Sequence, residues 1–296
     1  MNRQKTVSLV LGSGAARGLA HIGVIEWLNE HGYTIESVAG ASMGALIGGI
    51  YAAGKLEAYK RWVVALEKTD VIRFLDLSFS SEGLFKGDRL MDILKEMVGD
   101  RNIEDLPISY TAVATDLDRQ REVWLDDGSL FEAIRASIAI PTVFTPHPYK
   151  GMKLLDGGLL NPVPIAPTFK DITELTVAVD LNASREMKRS VKVVKSVDTE
   201  AADVSRYHKK VIQFLDKLQN SFMQGQGRDL GLFDLLSSAF ETMQNAISSV
   251  KLATYSPDVV IEIPRSACKA YEFYRAAEMI ELGYRMAGDA MEKRLL

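Results

Sequence analysis

The sequence predicts an α/β protein, a three-layer sandwich with a mainly parallel central sheet and helices on both faces, and three observations lead there. Val7 to Leu11 is an aliphatic and β-branched run, the pattern of a strand covered on both sides, and it passes through Gly12-Ser13-Gly14 into a helical pattern carrying Ile22, Ile25, Trp27 and Leu28. The same layout recurs at once: an apolar run ending near Ala39, the turn Gly40-Ala41-Ser42-Met43-Gly44, then a small-residue helix from Ala45 to Ala53. Finally, 296 residues with 47% hydrophobic and 25% charged side chains suffice for one full core, so a single domain over 1–296 is expected.

Composition narrows function as well as fold. A net charge of -4 gives no support to nucleic-acid binding. The one cysteine, Cys268, excludes an internal disulfide and leans toward the cytoplasm. The apolar run Val7 to Leu11 is too short for a signal-peptide core, and no later run has the length of a bilayer span. The expectation is a cytoplasmic protein that touches the inner face of a membrane peripherally, if it touches one at all.

Further along, Leu56 to Leu66 reads as a helix and Phe74 to Gly83 as a polar and aromatic loop. From Gly87 to Met97 an amphipathic helix places Leu90, Met91, Ile93, Leu94 and Met97 on one side. Ile108 to Asp116 is strand-like, Val123 to Leu125 pairs beside it, and Asp127-Gly128 signals a turn. Leu130 to Ala136 is helical, after which Pro141, Pro146 and Pro148 predict an irregular stretch around Phe144 and His147.

Three short stretches carry chemistry. Gly40-Ala41-Ser42-Met43-Gly44 fits G-x-S-x-G between a strand and a helix, where a sharp turn lifts the Ser42 hydroxyl clear of the sheet and needs small residues at Gly40 and Gly44. The turn also sets Ser42 at a helix N-terminus, which favours a developing alkoxide. Gly12 to Gly18 has the spacing G-x-G-x-x-x-G, one residue too long for a dinucleotide fingerprint and without a Walker lysine. An oxyanion hole is the better reading, with the N–H groups of Gly14 and Ala15 facing Ser42 and Arg17 nearby. The third stretch, Leu154-Leu155-Asp156-Gly157-Gly158, holds an acid rigidly at a strand end while two glycines turn the chain away.

The histidines decide how Asp156 is read. Of His21, His31, His147 and His208, only His208 follows the acid, and it lies in a polar, basic, helical segment unsuited to a buried base. His21 reads as a packing or capping residue. The supply of histidines therefore points to a dyad in which Asp156 takes the proton from Ser42. Two alternatives stand beside it: a Ser-His-Asp esterase that recruits His147, and a non-catalytic lipid-binding regulatory module of the same fold.

The ordered set GSGAARG, GASMG, ASIAIPTVFTP and DGG resembles the patatin-like phospholipases, and the opening LGSGAARGLAHIGVIEWL resembles their bacterial branch related to neuropathy target esterase. Ser256 to Ile261 and Tyr274 to Tyr284 are similar to that branch too. The resemblance implies the patatin-like fold and a lipid acyl hydrolase of phospholipase A or lysophospholipase type. It implies Ser42 as nucleophile, Asp156 as base, and an oxyanion hole from Gly12, Ser13, Gly14 and Ala15, with Arg17, Gly18, Gly40, Met43, Gly44, Gly157 and Gly158 supporting. Four successive glycines are usual in the family's loop, and here Ser13 and Ala15 replace two of them.

A solvated aspartate, with pKa ~3.9, is a weak base toward a serine hydroxyl, so the dyad requires burial to raise it. No cofactor is called for, and no His/Asp/Glu set has metal-ligand spacing; Asp116 and Asp118 read as turn chemistry. A helical, partly basic insertion or lid is expected at about 185–252. It begins with the basic run Arg185 to Lys195, continues through the acidic patch Asp198 to Asp203, and has an apolar spacing from Ser205 to Phe222. After a break at Gly225-Gln226-Gly227, with Arg228 and Asp229 as its hinge, a second stripe follows: Leu232, Leu235, Leu236, Ala239, Phe240, Met243, Ile247 and Val250. Helices packed on the sheet, a subunit interface, a lid, and a face that docks on an anionic membrane are its four alternative uses.

Overall fold

The computed structural model describes residues 5–67, 83–85, 87–183 and 232–295. The chain divides into two compact units, one of residues 1–187 with 243–296 and one of residues 188–242. Of the second, only 232–242 are described, as the opening turns of a helix. The basic run, the acidic patch, the 205–222 stripe and the proposed hinge of the insertion lie outside the described residues, as does most of the loop expected at 74–83.

Strand β1 (Lys5–Leu11) runs parallel between β2 (Tyr33–Ala41) and β9 (Leu175–Ala183), and β9 takes β10 (Val259–Pro264) on its far side, also parallel. Alternation along β1 and β9 divides the core. Val7, Leu9, Leu11, Leu175, Val177, Val179 and Leu181 point into a large apolar cluster, while Val10 and Ala178 point into a smaller one with Val163, Ile165, Leu252 and Tyr255. Both faces of these strands are therefore covered, which is why they read as unbroken apolar runs. Among the members of the large cluster are the helices α1 (Ala20–Glu30), α2 (Met43–Ala52) and α5 (Leu130–Ser137), together with α7 (Ala276–Leu295). Leu252 and Tyr255 end the helix α6 (Leu232–Tyr255). The expected architecture, a mostly parallel mixed sheet flanked by helices, is the one observed. The helices α3 (Leu56–Val64) and α4 (Asp88–Val98) fall where periodicity puts them, and α4 buries Met91, Leu94 and Val98.

The other half of the sheet builds the site. Strand β4 (Ser109–Asp116) pairs β2 in parallel along Ser109 to Val113, and β8 (Met152–Asp156) antiparallel along Ala114 to Asp116. Its residues 112–116 also pair β5 (Arg121–Leu125), so β5 occupies one edge while β2 and β8 share the other. Strands β2 and β8 thus run toward each other along a single edge. They end against consecutive residues, Ala41 opposite Val113 and Asp156 opposite Ala114.

Three features depart from the sequence reading. The proline-rich stretch is not irregular: β6 (Thr142–Phe144) pairs β3 (Gly83–Phe85) in a small second sheet, and β7 (His147–Tyr149) ends the main one beside β8. Pro148 is tolerated there because an edge strand leaves half of its backbone groups unpaired. Strand β9, which lies inside the sheet between β1 and β10, is a further element that periodicity alone does not predict. On α6 two members of the expected stripe, Met243 and Val250, are exposed (55% and 65%), and the buried positions described within residues 238–255 are Gln244 and Ser248. No helix among the described residues is long and apolar enough to cross a membrane.

Helices α1 and α7 cross at backbone contact. A Cβ on Gly23 would lie 1.9 Å from the carbonyl oxygen of Ile280, and one on Gly283 would lie 1.9 Å from that of Ala20. Neither obstacle is a flexible side chain, so the helices themselves would have to separate, at a cost of about 1–3 kcal/mol or more. Gly23→Ala and Gly283→Ala are each expected to lower the unfolding free energy measured in urea by that amount, and a value within error of wild type would refute the crossing.

Candidate active site

Two strands cannot both continue on one edge of β4, so each must leave the sheet where it ends. After Ala41 the chain turns through Ser42 into α2, and Ser42 takes φ 55° and ψ -123°, a conformation rare outside glycine that costs about 1–3 kcal/mol. The space is as tight as the G-x-S-x-G spacing requires. A Cβ on Gly40 would lie 2.4 Å from the Gly44 carbonyl, and one on Gly44 would lie 1.9 Å from the Leu11 carbonyl oxygen. The elbow is thereby pressed onto the end of β1, and Gly18 meets Met43 in the same way, with 2.4 Å left for a Cβ.

After Asp156 the chain leaves through a short 3-10 turn, Gly157–Leu159. Gly157 crosses directly over Val113, where a Cβ would stand 2.0 Å from the Val113 oxygen. Ser137, at the end of α5, holds the junction from beneath: its Oγ accepts the Ser42 N–H at 2.9 Å and donates to the Val113 carbonyl at 2.6 Å. Asp156 itself donates its N–H to the Ala139 carbonyl at 2.9 Å and accepts from Thr115 Oγ1 at its own carbonyl at 3.0 Å.

The structure thus brings Ser42 and Asp156 together in a dry setting, 3% and 1% exposed. Asp156 Oδ1 accepts the Gly158 N–H at 2.7 Å, and Oδ2 has no hydrogen-bond partner of ordinary geometry among the described residues. Burial pushes the carboxyl up to about 7, against the Ser42 hydroxyl and the Gly158 N–H, which favour the charged form. A carboxylate near neutrality with one open oxygen beside a hydroxyl is suited to taking a proton.

The glycine loop lies against the elbow through the contact of Gly44 with Leu11. Gly12 donates its N–H to the Val179 carbonyl at 3.1 Å and Ser13 donates to that of Pro162 at 2.8 Å, so both are spent on holding the loop. The N–H groups of Gly14 and Ala15 have no hydrogen bond among the described residues, and Ala15 takes φ 47°. His21 on α1 steadies the loop by donating from Nε2 to the Gly12 carbonyl at 2.8 Å; full burial pulls its pKa down to about 4, so the ring is neutral.

Other residues singled out in the sequence lie elsewhere. The Arg17 side chain is turned to the end of β10, donating from Nη1 to the Arg265 carbonyl at 3.1 Å. His147, on the edge strand, pairs through Nε2 with Glu132 at 2.9 Å, and burial first of all draws its pKa down. Asp116 accepts from the N–H groups of Asp118 and Arg119 and pairs with the Arg119 guanidinium at 2.9 Å, closing the β4–β5 turn. No group of three or more His, Cys, Asp or Glu suited to a metal occurs among the described residues.

Two site residues escaped the sequence reading. Ser137 lies inside the ASIAIP stretch, where a small polar residue at the buried end of an amphipathic helix was the available signal. Gln244 gave none: its neighbours Met243 and Ile247 draw the eye to the apolar stripe, yet its Nε2 donates to Ser13 Oγ and to the Gly158 carbonyl, both at 3.1 Å.

The chain is similar to several known proteins. An NTE family protein of Mycobacterium tuberculosis is 37% identical, over 97% of this chain and 91% of its own length. The human patatin-like phospholipase domain-containing protein 6 is 32% identical over 61% of this chain and 14% of its own length. The neuropathy target esterase of Drosophila persimilis is 34% identical over 54% of this chain and 12% of its own. Residues 9–169, which include the glycine loop, the elbow and the Asp156 turn, match the family described as patatin-like phospholipase, and the chain belongs to that family.

Proposed function

We propose that this protein is a serine hydrolase of fatty-acyl esters, phospholipid or lysophospholipid foremost, working through a Ser42-Asp156 dyad. Family membership supports lipid esterase activity in general. The observation that carries the finer reading is the strained, buried Ser42 at the head of α2 beside a carboxyl held near pKa 7. Asp156 takes the proton as Ser42 Oγ attacks the ester carbonyl, and the oxyanion is met by the N–H groups of Gly14 and Ala15. Such donors are worth about 3 kcal/mol each when aimed at the forming charge. The tetrahedral species collapses, Asp156 returns its proton to the departing alcohol, and the acyl group stays on Ser42. Water, deprotonated by Asp156, then releases the fatty acid and regenerates the hydroxyl.

His147 is engaged by Glu132, and neither Ser42 nor Asp156 is among its hydrogen-bond or electrostatic partners, which supports the dyad over a triad. Delivery of a lipid substrate fits peripheral contact with an anionic membrane, for which the basic run Arg185 to Lys195 is the candidate surface.

Fluorophosphonate labelling of wild type is expected, with Ser42→Ala silent, Asp156→Asn nearly silent and His147→Ala labelled at the wild-type rate; loss of labelling in His147→Ala would replace the dyad by a triad. Since Asp156 acts as the base, kcat/KM should rise with pH through about 7, the value to which burial brings it. A profile flat from pH 5 to 9 would rule out that assignment.

Stability should run the other way. The folded pKa of Asp156 lies above its unfolded value, so its contribution is full below pH ~4 and is lost as pH rises through about 7. Asp156→Asn is therefore expected to melt above wild type at pH 9, with the gap closing by pH 4. For membrane contact, co-sedimentation with anionic vesicles should weaken when Lys188, Arg189 and Lys192 become Glu, and unchanged binding would discard that surface.

A further inference from the structure

Gln244 belongs to the described part of α6 and is 5% exposed, yet it faces the site and not the apolar core. The Gly158 carbonyl can only accept, so the atom at 3.1 Å from it is the amide nitrogen, and the second proton of that nitrogen goes to Ser13 Oγ, also at 3.1 Å. Both donor positions of one amide are filled. What they join is the glycine loop on one side and the turn after Asp156 on the other.

The two ends are themselves tightly held. Ser13 gives its N–H to Pro162 and accepts from Asn182 Nδ2 at its carbonyl, so the Gln244 contact is its third anchor. Gly158 gives its N–H to Asp156 Oδ1. A continuous path therefore runs from the residue preceding Gly14 and Ala15, through one side-chain amide, to the carboxyl that faces Ser42. The hydroxyl at position 13 gives the loop a side-chain acceptor, and its partner is Gln244. We propose that Gln244 is a positioning residue: it clamps the glycine loop, through Ser13 Oγ, at a fixed distance from the Asp156 turn, through the Gly158 carbonyl. This rests on the hydrolase reading above.

Because the clamp acts on geometry, its loss should slow the acyl-transfer step and spare ground-state binding. On a soluble short-chain ester, Ser13→Ala and Gln244→Ala are each expected to lower kcat about tenfold or more with KM within about twofold, and the double variant should be no slower than the slower single. Gln244→Ala should also raise the acid limb of kcat/KM, since burial, the Ser42 hydroxyl and the Gly158 N–H are what set Asp156 and the last of these is loosened. Ser13→Ala should leave that limb in place. Melting temperatures are taken alongside; if Gln244→Ala does not fold, folded Ser13→Ala carries the test alone. Wild-type kcat in folded Ser13→Ala, multiplicative losses in the double variant, or an unmoved acid limb in a folded but slower Gln244→Ala would each overturn the clamp. Ser42→Ala in the same assay separates the two readings: residual wild-type turnover there removes the hydrolase itself, whereas Ser42-dependent turnover with intact Ser13→Ala kinetics removes only the clamp.

Discussion

Two strands, β2 and β8, run head-on along one edge of β4, and the rest of the site follows from that meeting. Their last residues face Val113 and Ala114, one peptide apart. Neither chain can advance, so both turn out of the sheet at one place, and the side chains at the two turns are Ser42 and Asp156. Parallel pairing alone would give the usual crevice at the carboxyl ends of the strands. The antiparallel β8 adds a second chain end from the opposite direction, and that is how an acid distant in sequence arrives beside the serine.

Holding this junction together takes close backbone contact instead of large side chains. Gly44 lies on Leu11, Gly157 on Val113, and Ser137 ties the elbow N–H to the Val113 carbonyl. A Cβ at either glycine would lift one chain end off the edge and carry its functional group with it. The strained Ser42 backbone persists because these contacts leave no relaxed alternative.

The same crowding sets the electrostatics. Asp156 is buried with one N–H bond to its side chain and one open oxygen, so its charged form is disfavoured until about neutral pH. Full satisfaction by two or three donors would hold the carboxyl low and make it useless as a base. Nearby, His21 is kept neutral by burial and serves only as a donor to the Gly12 carbonyl. Among the described residues no histidine is hydrogen-bonded to Ser42 or Asp156, and the proposed dyad assigns the base's part to a carboxyl whose solvation has been withheld.

Much of this was legible in the chain. The runs at Val7 to Leu11 and Val38 to Ala39, each followed by glycines and a helical period, determined the α/β class and the parallel pairing, because strands covered on both faces must be apolar throughout. Ser42, Asp156 and the glycine loop were legible because sharp turns restrict residue type, and that restriction survives in one dimension. Strand β9 and the short strands around the prolines were not, since an edge or a central place in a sheet depends on partners far off in sequence. Likewise Arg17 turned away toward Arg265, and Gln244 turned in toward Ser13, for reasons no local pattern carries. The sequence by itself determined which turns the backbone must make; the tertiary structure alone decided which side chains those turns bring together, because hydrogen bonds between Gln244, Ser13 and Gly158 exist only once distant segments have packed.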